Sequence, residues 1–471
     1  MNISFVLRRV ALALGLGLGA AITFAQSESA LPAELREKID TAAREVLAAT
    51  RVPSASVAVV RDAQIAYVQA YGDASVAPRR PALPTMRYSI GSISKQFTAA
   101  AILLLVEEGK LSLDDPVARF IPSLTRAGEI SIRQLLSHTS GYQDYWPQDY
   151  VPPFMLREIT AERILDLWAR KPLDFDPGTQ WQYSNTNFVI AGLIVEQVAA
   201  KPLLQFLQER VFAPLAMKSV LNIDRERLGD TDATGYLRYA LGPLRLAPKE
   251  GKGWLFAAGE LAMPADDLAR WDISLLQQSL LKPASYREMT TDQKLQSGAN
   301  SRYGLGISVV TVAGHRVWRH GGEVSGFTAD NIVLPDDQAA IVVLTNQDSA
   351  HAADQLGERI AGLLLPKKPA ADADRLAHDR GLFDALQHGR LDRALLTENC
   401  NSYFSAQAIA DFASSLGALG APAEFTLASQ SRRGGMNTRV YNIKFSAQTV
   451  TLVLREMPDG LVEQFQISAK N

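Results

Sequence analysis

Tyr88-Ser89-Ile90-Gly91-Ser92-Ile93-Ser94-Lys95-Gln96-Phe97 is the stretch on which the reading of this chain turns. A polar lead ends at Gly91. An apolar run with helical spacing follows from Gln96 to Lys110, through Phe97, Ala100, Ala101, Leu103, Leu104 and Val106. Ser92 is therefore expected where a helix opens, near free backbone N–H groups and the positive end of the dipole. Lys95 lies one turn further on the same face. A serine hydroxyl is a poor nucleophile until a base takes its proton. A lysine serves as that base only when neutral, so its ordinary pKa of ~10.4 must fall by about three units. The same spacing recurs at Ser279-Leu280-Leu281-Lys282, but that copy closes an apolar run and meets Pro283, which marks a helix boundary.

Two further motifs follow in order. Trp181-Gln182-Tyr183-Ser184-Asn185-Thr186-Asn187 comes after the turn signal Asp176-Pro177-Gly178 and before an apolar helix, Val189 to Ala200. It offers a phenol and an amide on a loop braced by a helix. Val317-Trp318-Arg319-His320-Gly321-Gly322-Glu323 places two glycines at a strand end, where another backbone can approach closely. Lys249-Glu250-Gly251 is a rival for this third position, but it lies in a Gly-rich stretch with no strand around it. Each motif alone has a bland reading as a helix cap or turn. Three in order, in helix, loop and strand contexts, describe a serine hydrolase without a Ser-His-Asp triad.

With these residues in place, the chain resembles the serine β-lactamase and penicillin-binding protein family, on its class C and D-alanyl-D-alanine carboxypeptidase side. Leu135-Leu136-Ser137-His138-Thr139-Ser140-Gly141 matches that family's LLSHTSG segment, and Gly259-Glu260-Leu261 and Val342-Val343-Leu344-Thr345-Asn346 fit as well. The resemblance covers about residues 30–365. It implies Ser92 as nucleophile, Lys95 and Tyr183 sharing the general-base work, and Asn185 bonding a substrate amide. It implies an oxyanion hole from the backbone N–H groups of Ser92 and Glu323, beside Gly322. His320 stands where the family usually has lysine. Gly321 stands where many members have a threonine that helps to bind a carboxylate. Both departures point away from carboxylate recognition. The expectation for His320 is a hydrogen bond to Tyr183 or Ser92 and a charge that changes near neutral pH. Tyr183 is expected to lean toward phenolate beside a cationic lysine, the two titrating as a pair.

The chain has 471 residues, 47% hydrophobic and 21% charged, with a formal charge of −2, so no nucleic-acid surface is indicated. Residues 1–25 read as an export signal: Arg8 and Arg9, an apolar core from Val10 to Phe24, and a small-residue cut after Ala25. Cleavage removes two cations and no acid, taking the charge to −4. The expected location is periplasmic or secreted, with no membrane anchor in the mature chain. Cys400 is the single cysteine, so no intrachain disulfide forms, and the six histidines show no metal-ligand spacing. No cofactor or metal is expected. The expected partner is a small-molecule or peptide substrate, and nothing here fixes subunit number.

The fold expected is α+β: an antiparallel sheet built from both ends of residues 30–365, flanked by helices, with a helical subdomain between. Strands are expected at 55–61, 64–71, 315–319, 328–334 and 339–345. The aromatic loop Tyr142 to Tyr150, with Tyr142 and Trp146, is expected to wall the cleft. Residues 366–373 read as a linker, and 374–471 as a small α+β domain of two helices and four strands. Two alternatives remain at this stage. A true β-lactamase requires fast deacylation and carboxylate recognition. A non-catalytic envelope-binding module has no need of Ser92, Lys95 and Tyr183.

Overall fold

The computed structural model describes residues 31–148, 150–240, 242–312, 314–365, 373–433 and 436–469. The expected export signal and nearly all of the expected linker lie outside these. The chain divides into two compact units, one ending at Leu365 and one beginning at Pro366.

The first unit is built on a seven-stranded sheet. In chain order its framework is α1 (Ala33–Thr50), β1 (Ser54–Arg61), β2 (Gln64–Val76), β3 (Arg79–Pro81), α2 (Ser94–Glu107), α3 (Asn185–Ala199), α4 (Ala265–Gln277), β4 (Ser308–Val312), β5 (His315–Val324), β6 (Phe327–Leu334), β7 (Ala339–Thr345) and α5 (Ala352–Leu364). The strand order is β3-β2-β1-β7-β6-β5-β4, so the two ends of the unit meet where β1 pairs with β7. Chain between β3 and β4 forms a mostly helical subdomain.

The central strands show why the sheet forms. Along β7, Ala339, Ile341 and Val343 enter the core shared with α1 and α5, while Ala340, Val342 and Leu344 enter the core shared with α2 and α4. The period of two thus feeds two cores from one strand. Seven of the eight residues of β1 are buried, Ser54 and Ser56 among them, so both faces of this strand are covered. Each fully buried Val or Ile contributes roughly 1.5–3 kcal/mol. A buried polar chain ties α2 to α4 and β6. Trp271 Nε1 donates to Gln96 Oε1 (2.7 Å), Gln96 Nε2 to Asn331 Oδ1 (3.1 Å), and Asn331 Nδ2 to both oxygens of Asp272 (2.8 Å each).

The second unit has its own core, including Phe383, Phe404, Tyr441, Leu452 and Phe465. Helices Ala373–Gln387, Glu398–Tyr403 and Ala406–Gly417 precede a four-stranded antiparallel meander running Glu424–Arg433, Met436–Lys444, Thr449–Glu456 and Val462–Ala469. Three helices replace the two expected. The short one, Glu398–Tyr403, is capped by Thr397 and carries Cys400, a free buried thiol. Among the described residues, no single helix is long and apolar enough to cross a membrane.

Candidate active site

Ser92 sits in a one-turn 3-10 segment, Gly91–Ile93, that runs directly into α2. Two glycines press this turn against β5. Gly91 has φ +49°, and a Cβ there would lie 2.7 Å from the Glu323 backbone nitrogen. A Cβ on Gly322 would lie 1.9 Å from the Ile90 carbonyl oxygen. Both positions exclude any side chain, and the result is the Glu323 N–H brought beside the serine turn. Gly321 differs: a Cβ there would meet nothing closer than Ala329 O at 3.9 Å. Its bareness is open space in the cleft, not a packing need. The glycines lie within β5, paired to β6, rather than at a strand end.

Lys95 is fully buried, and its Nζ has three neighbours: Ser92 Oγ at 3.0 Å, Asn185 Oδ1 at 2.7 Å and Ala258 O at 2.8 Å. Burial pulls its pKa down to about 7, against an opposing pull from Asp144. A substantial fraction is then the free amine near neutral pH.

Tyr183 packs beside this amine, whose Nζ lies 5.0 Å from the ring centroid. Its hydroxyl is buried and closes no hydrogen bond. Ser92 tempers its pKa, but burial prevails and raises it far above the ordinary value. The expected lean toward phenolate is therefore reversed: Tyr183 is a neutral phenol, and Lys95 alone is poised as base.

The LLSHTSG segment holds the Tyr183 loop. His138 Nδ1 accepts the Ser184 N–H at 3.2 Å, Gln182 N donates to His138 O at 3.0 Å, and Ser140 Oγ donates to Asn187 Oδ1 at 2.6 Å. The His138 ring lies 4.3 Å from the Tyr183 ring, between centroids. Burial keeps this imidazole neutral, its pKa well below the usual histidine value.

His320 is also buried, and its pKa falls to about 4 through burial and the nearby Lys95. It stays uncharged throughout the neutral range, contrary to expectation. It bonds neither Tyr183 nor Ser92. Its Nε2 meets the Tyr303 hydroxyl at 2.7 Å and its Nδ1 meets Gly321 O at 2.6 Å. Tyr303 escaped the sequence reading because it belongs to no motif; only the fold brings it to β5. Tyr142 is corrected too. It is buried with its hydroxyl on Thr125 O at 3.0 Å, a strut rather than a cleft wall. Trp146 and Tyr150 do line the cleft. Asn185 lines the cleft as expected and also bonds Lys95, held there by Asp144, which sequence reasoning overlooked in a loop read for its aromatics. Lys249-Glu250-Gly251 is structural: Lys249 donates to the Ile223 and Glu226 carbonyls, and Glu250 accepts the Ser325 N–H.

A cleft of about 900 Å³ opens over Ser92 and Tyr183. Among the described residues, four carboxylates line it, Asp144, Glu323, Asp348 and Asp354, and no lysine or arginine does. Among the described residues, no group of three or more His, Cys, Asp or Glu is placed to hold a metal ion.

The family model Beta-lactamase matches residues 39–365. The D-aminopeptidase of Brucella canis is 30% identical over 298 residues, 62% of this chain and 56% of that protein. The D-aminopeptidase of Brucella anthropi is 29% identical over 318 residues, 66% of this chain and 60% of that protein. The chain thus spans little more than half the length of these curated relatives. Among solved structures, a D-stereospecific amidohydrolase from Streptomyces sp. superposes with a TM-score of 0.59 at 29% identity, covering 67% of this chain and 96% of that one. An octameric penicillin-binding protein homologue from Pyrococcus abyssi shares the fold at 22% identity and a TM-score of 0.62, over 93% of this chain and 94% of that one.

Proposed function

The chain belongs to the beta-lactamase family, and on that footing we propose that it is an exported serine hydrolase that opens amide or ester bonds of D-amino-acid derivatives through an acyl-enzyme on Ser92. One observation carries the reading: a buried lysine with a pKa of about 7 lies 3.0 Å from the serine oxygen. No structural role asks for that pairing.

In acylation, neutral Lys95 takes the Ser92 proton as Oγ bonds to the substrate carbonyl carbon. The oxyanion forms beside the N–H groups of Ser92 and Glu323, where each donor is worth roughly 10²–10³ in rate. As the C–N or C–O bond breaks, the Tyr183 phenol gives its proton to the leaving atom. The Lys95 ammonium then returns a proton to the phenolate. Water attacks the acyl carbon in deacylation, its proton passing to Lys95 and Ser92 regaining one as the ester bond breaks.

The cleft chemistry bears on substrate. Four carboxylates and a neutral His320 favour an amine-bearing substrate over a carboxylate-bearing one. The names of the D-aminopeptidase and amidohydrolase relatives support the same choice. A β-lactamase with a carboxylate-bearing substrate finds no lining lysine or arginine among the described residues, and is the weaker reading.

The test compares purified protein with Ser92→Ala on D-amino-acid amides, short nitrophenyl esters, D-Ala-D-Ala peptides and nitrocefin. Turnover of the first two, absent in the variant, is expected. A preference for nitrocefin or D-Ala-D-Ala peptides overturns the substrate assignment. Export is checked by N-terminal sequencing of the periplasmic fraction, where Gln26 should be the first residue.

A further inference from the structure

Lys95 Nζ has three partners, and their chemistry decides where its lone pair goes. A neutral amine has two hydrogens and one lone pair. Ala258 O accepts only, at 2.8 Å. Asn185 Oδ1 accepts only, at 2.7 Å. These two take both hydrogens, and the lone pair is left for the remaining direction, Ser92 Oγ at 3.0 Å. The arrangement holds only while Asn185 presents oxygen. With its amide turned over, an N–H would face Lys95 and occupy the lone pair that Ser92 needs.

Asp144 prevents that turn. Its Oδ1 accepts the Asn185 backbone N–H at 2.9 Å and Asn185 Nδ2 at 3.2 Å, and Oδ2 lies 3.4 Å from the same Nδ2. The Trp146 N–H adds a further bond at 3.2 Å. An ionised carboxylate accepts and never donates, so it fixes which end of the amide it holds. We infer that Asp144 is a positioning residue: it pins the Asn185 amide so that the lone pair of Lys95 faces Ser92. This rests on the hydrolase reading above.

The groups facing Lys95 are Asp144, Tyr183, His138 and His320. Tyr145 and Tyr183 also face Asp144. Burial keeps both imidazoles and both phenols neutral near pH 7. Burial also raises the Asp144 carboxyl, opposed by the N–H groups of Asn185 and Trp146 and by Lys95, and Asp144 is the anion whose charge acts on Lys95. The competing view is that Asp144 merely caps the start of α3.

Asp144→Asn and Asp144→Ala separate the two. Asparagine keeps an acceptor at the helix start and loses the charge. Its kcat/KM profile should move its acidic limb down by roughly half to one pH unit, because the lost anion no longer favours the ammonium. Alanine frees the amide, and kcat should fall by about 10–100-fold while Ser92 remains open to a serine-directed probe. A cap alone predicts lower melting temperatures and the same charge-driven shift of the limb, with the kcat of wild type in both variants, and that unchanged kcat overturns the inference. Where the alanine form fails to fold, the near-isosteric asparagine form carries the test by its kcat on the pH plateau: its side chain can donate as well as accept, so it no longer fixes which end of the Asn185 amide it holds, and a wild-type kcat overturns the inference. If the probe labels wild type at Ser92 while the variants behave as simple caps, only this inference falls. If wild type is not labelled, the hydrolase reading falls and takes the inference with it.

Discussion

At Lys95 the competition is between burial and charge. Burial lowers the pKa, Asp144 resists, and the balance lies at about 7. The base is active when deprotonated, so kcat/KM should rise with pH through about 7 and lose its acidic limb only if Lys95 is replaced. Lys95→Ala should nearly abolish acylation. Tyr183→Phe should cost a factor on the order of 10²–10⁴, since it removes the proton for the leaving group and leaves the fold intact. Full activity of Tyr183→Phe would reduce that phenol to packing. His320→Lys would put a cation beside a carboxylate-lined cleft. It should raise kcat/KM for a carboxylate-bearing ester over its neutral match by about fivefold, the worth of a partly exposed ion pair. An unchanged ratio would separate His320 from substrate charge altogether. Ser92, Lys95 and Tyr183 were legible because each motif is local. The titration states were not: they come from burial supplied by chain far away in sequence, and His320 and Tyr183 both went the other way.

The contact between the serine turn and β5 is a backbone contact, and glycines decide it. Gly322→Ala sets a methyl 1.9 Å from the Ile90 carbonyl, so the strand must retreat from Ser92. A displacement of about 1 Å at an oxyanion donor is enough for about 10²-fold in kcat. Gly321→Ala meets only open space and should stay within about twofold of wild type. Steady-state kinetics of the pair checks this, and equal losses would refute the steric account. Strand positions were readable from apolar runs bounded by turn signals; the stretch expected at 339–345 is β7, Ala339–Thr345. What the pattern could not show is partner choice. The join of β1 to β7, or the bond from Gln96 to Asn331, links residues more than two hundred positions apart.

For the molecule as a whole, the sheet carries the Glu323 N–H, the helical subdomain carries Ser92, Lys95 and Tyr183, and in the proposed function the carboxylates of the cleft between them select the substrate. The order of three motifs foretold that layout for the first unit. The second unit was legible only as an order of helices and strands, and its short middle helix, Glu398–Tyr403, was missed because six residues give no periodicity. The proposed mechanism requires that Ser92 be the residue that is acylated. The most direct measurement is intact-mass and peptide analysis after treatment with a fluorophosphonate, with Ser92→Ala and Ser279→Ala alongside wild type. One adduct is predicted, located at Ser92, lost in Ser92→Ala and retained in Ser279→Ala. An adduct elsewhere, or undiminished turnover by Ser92→Ala, would contradict it.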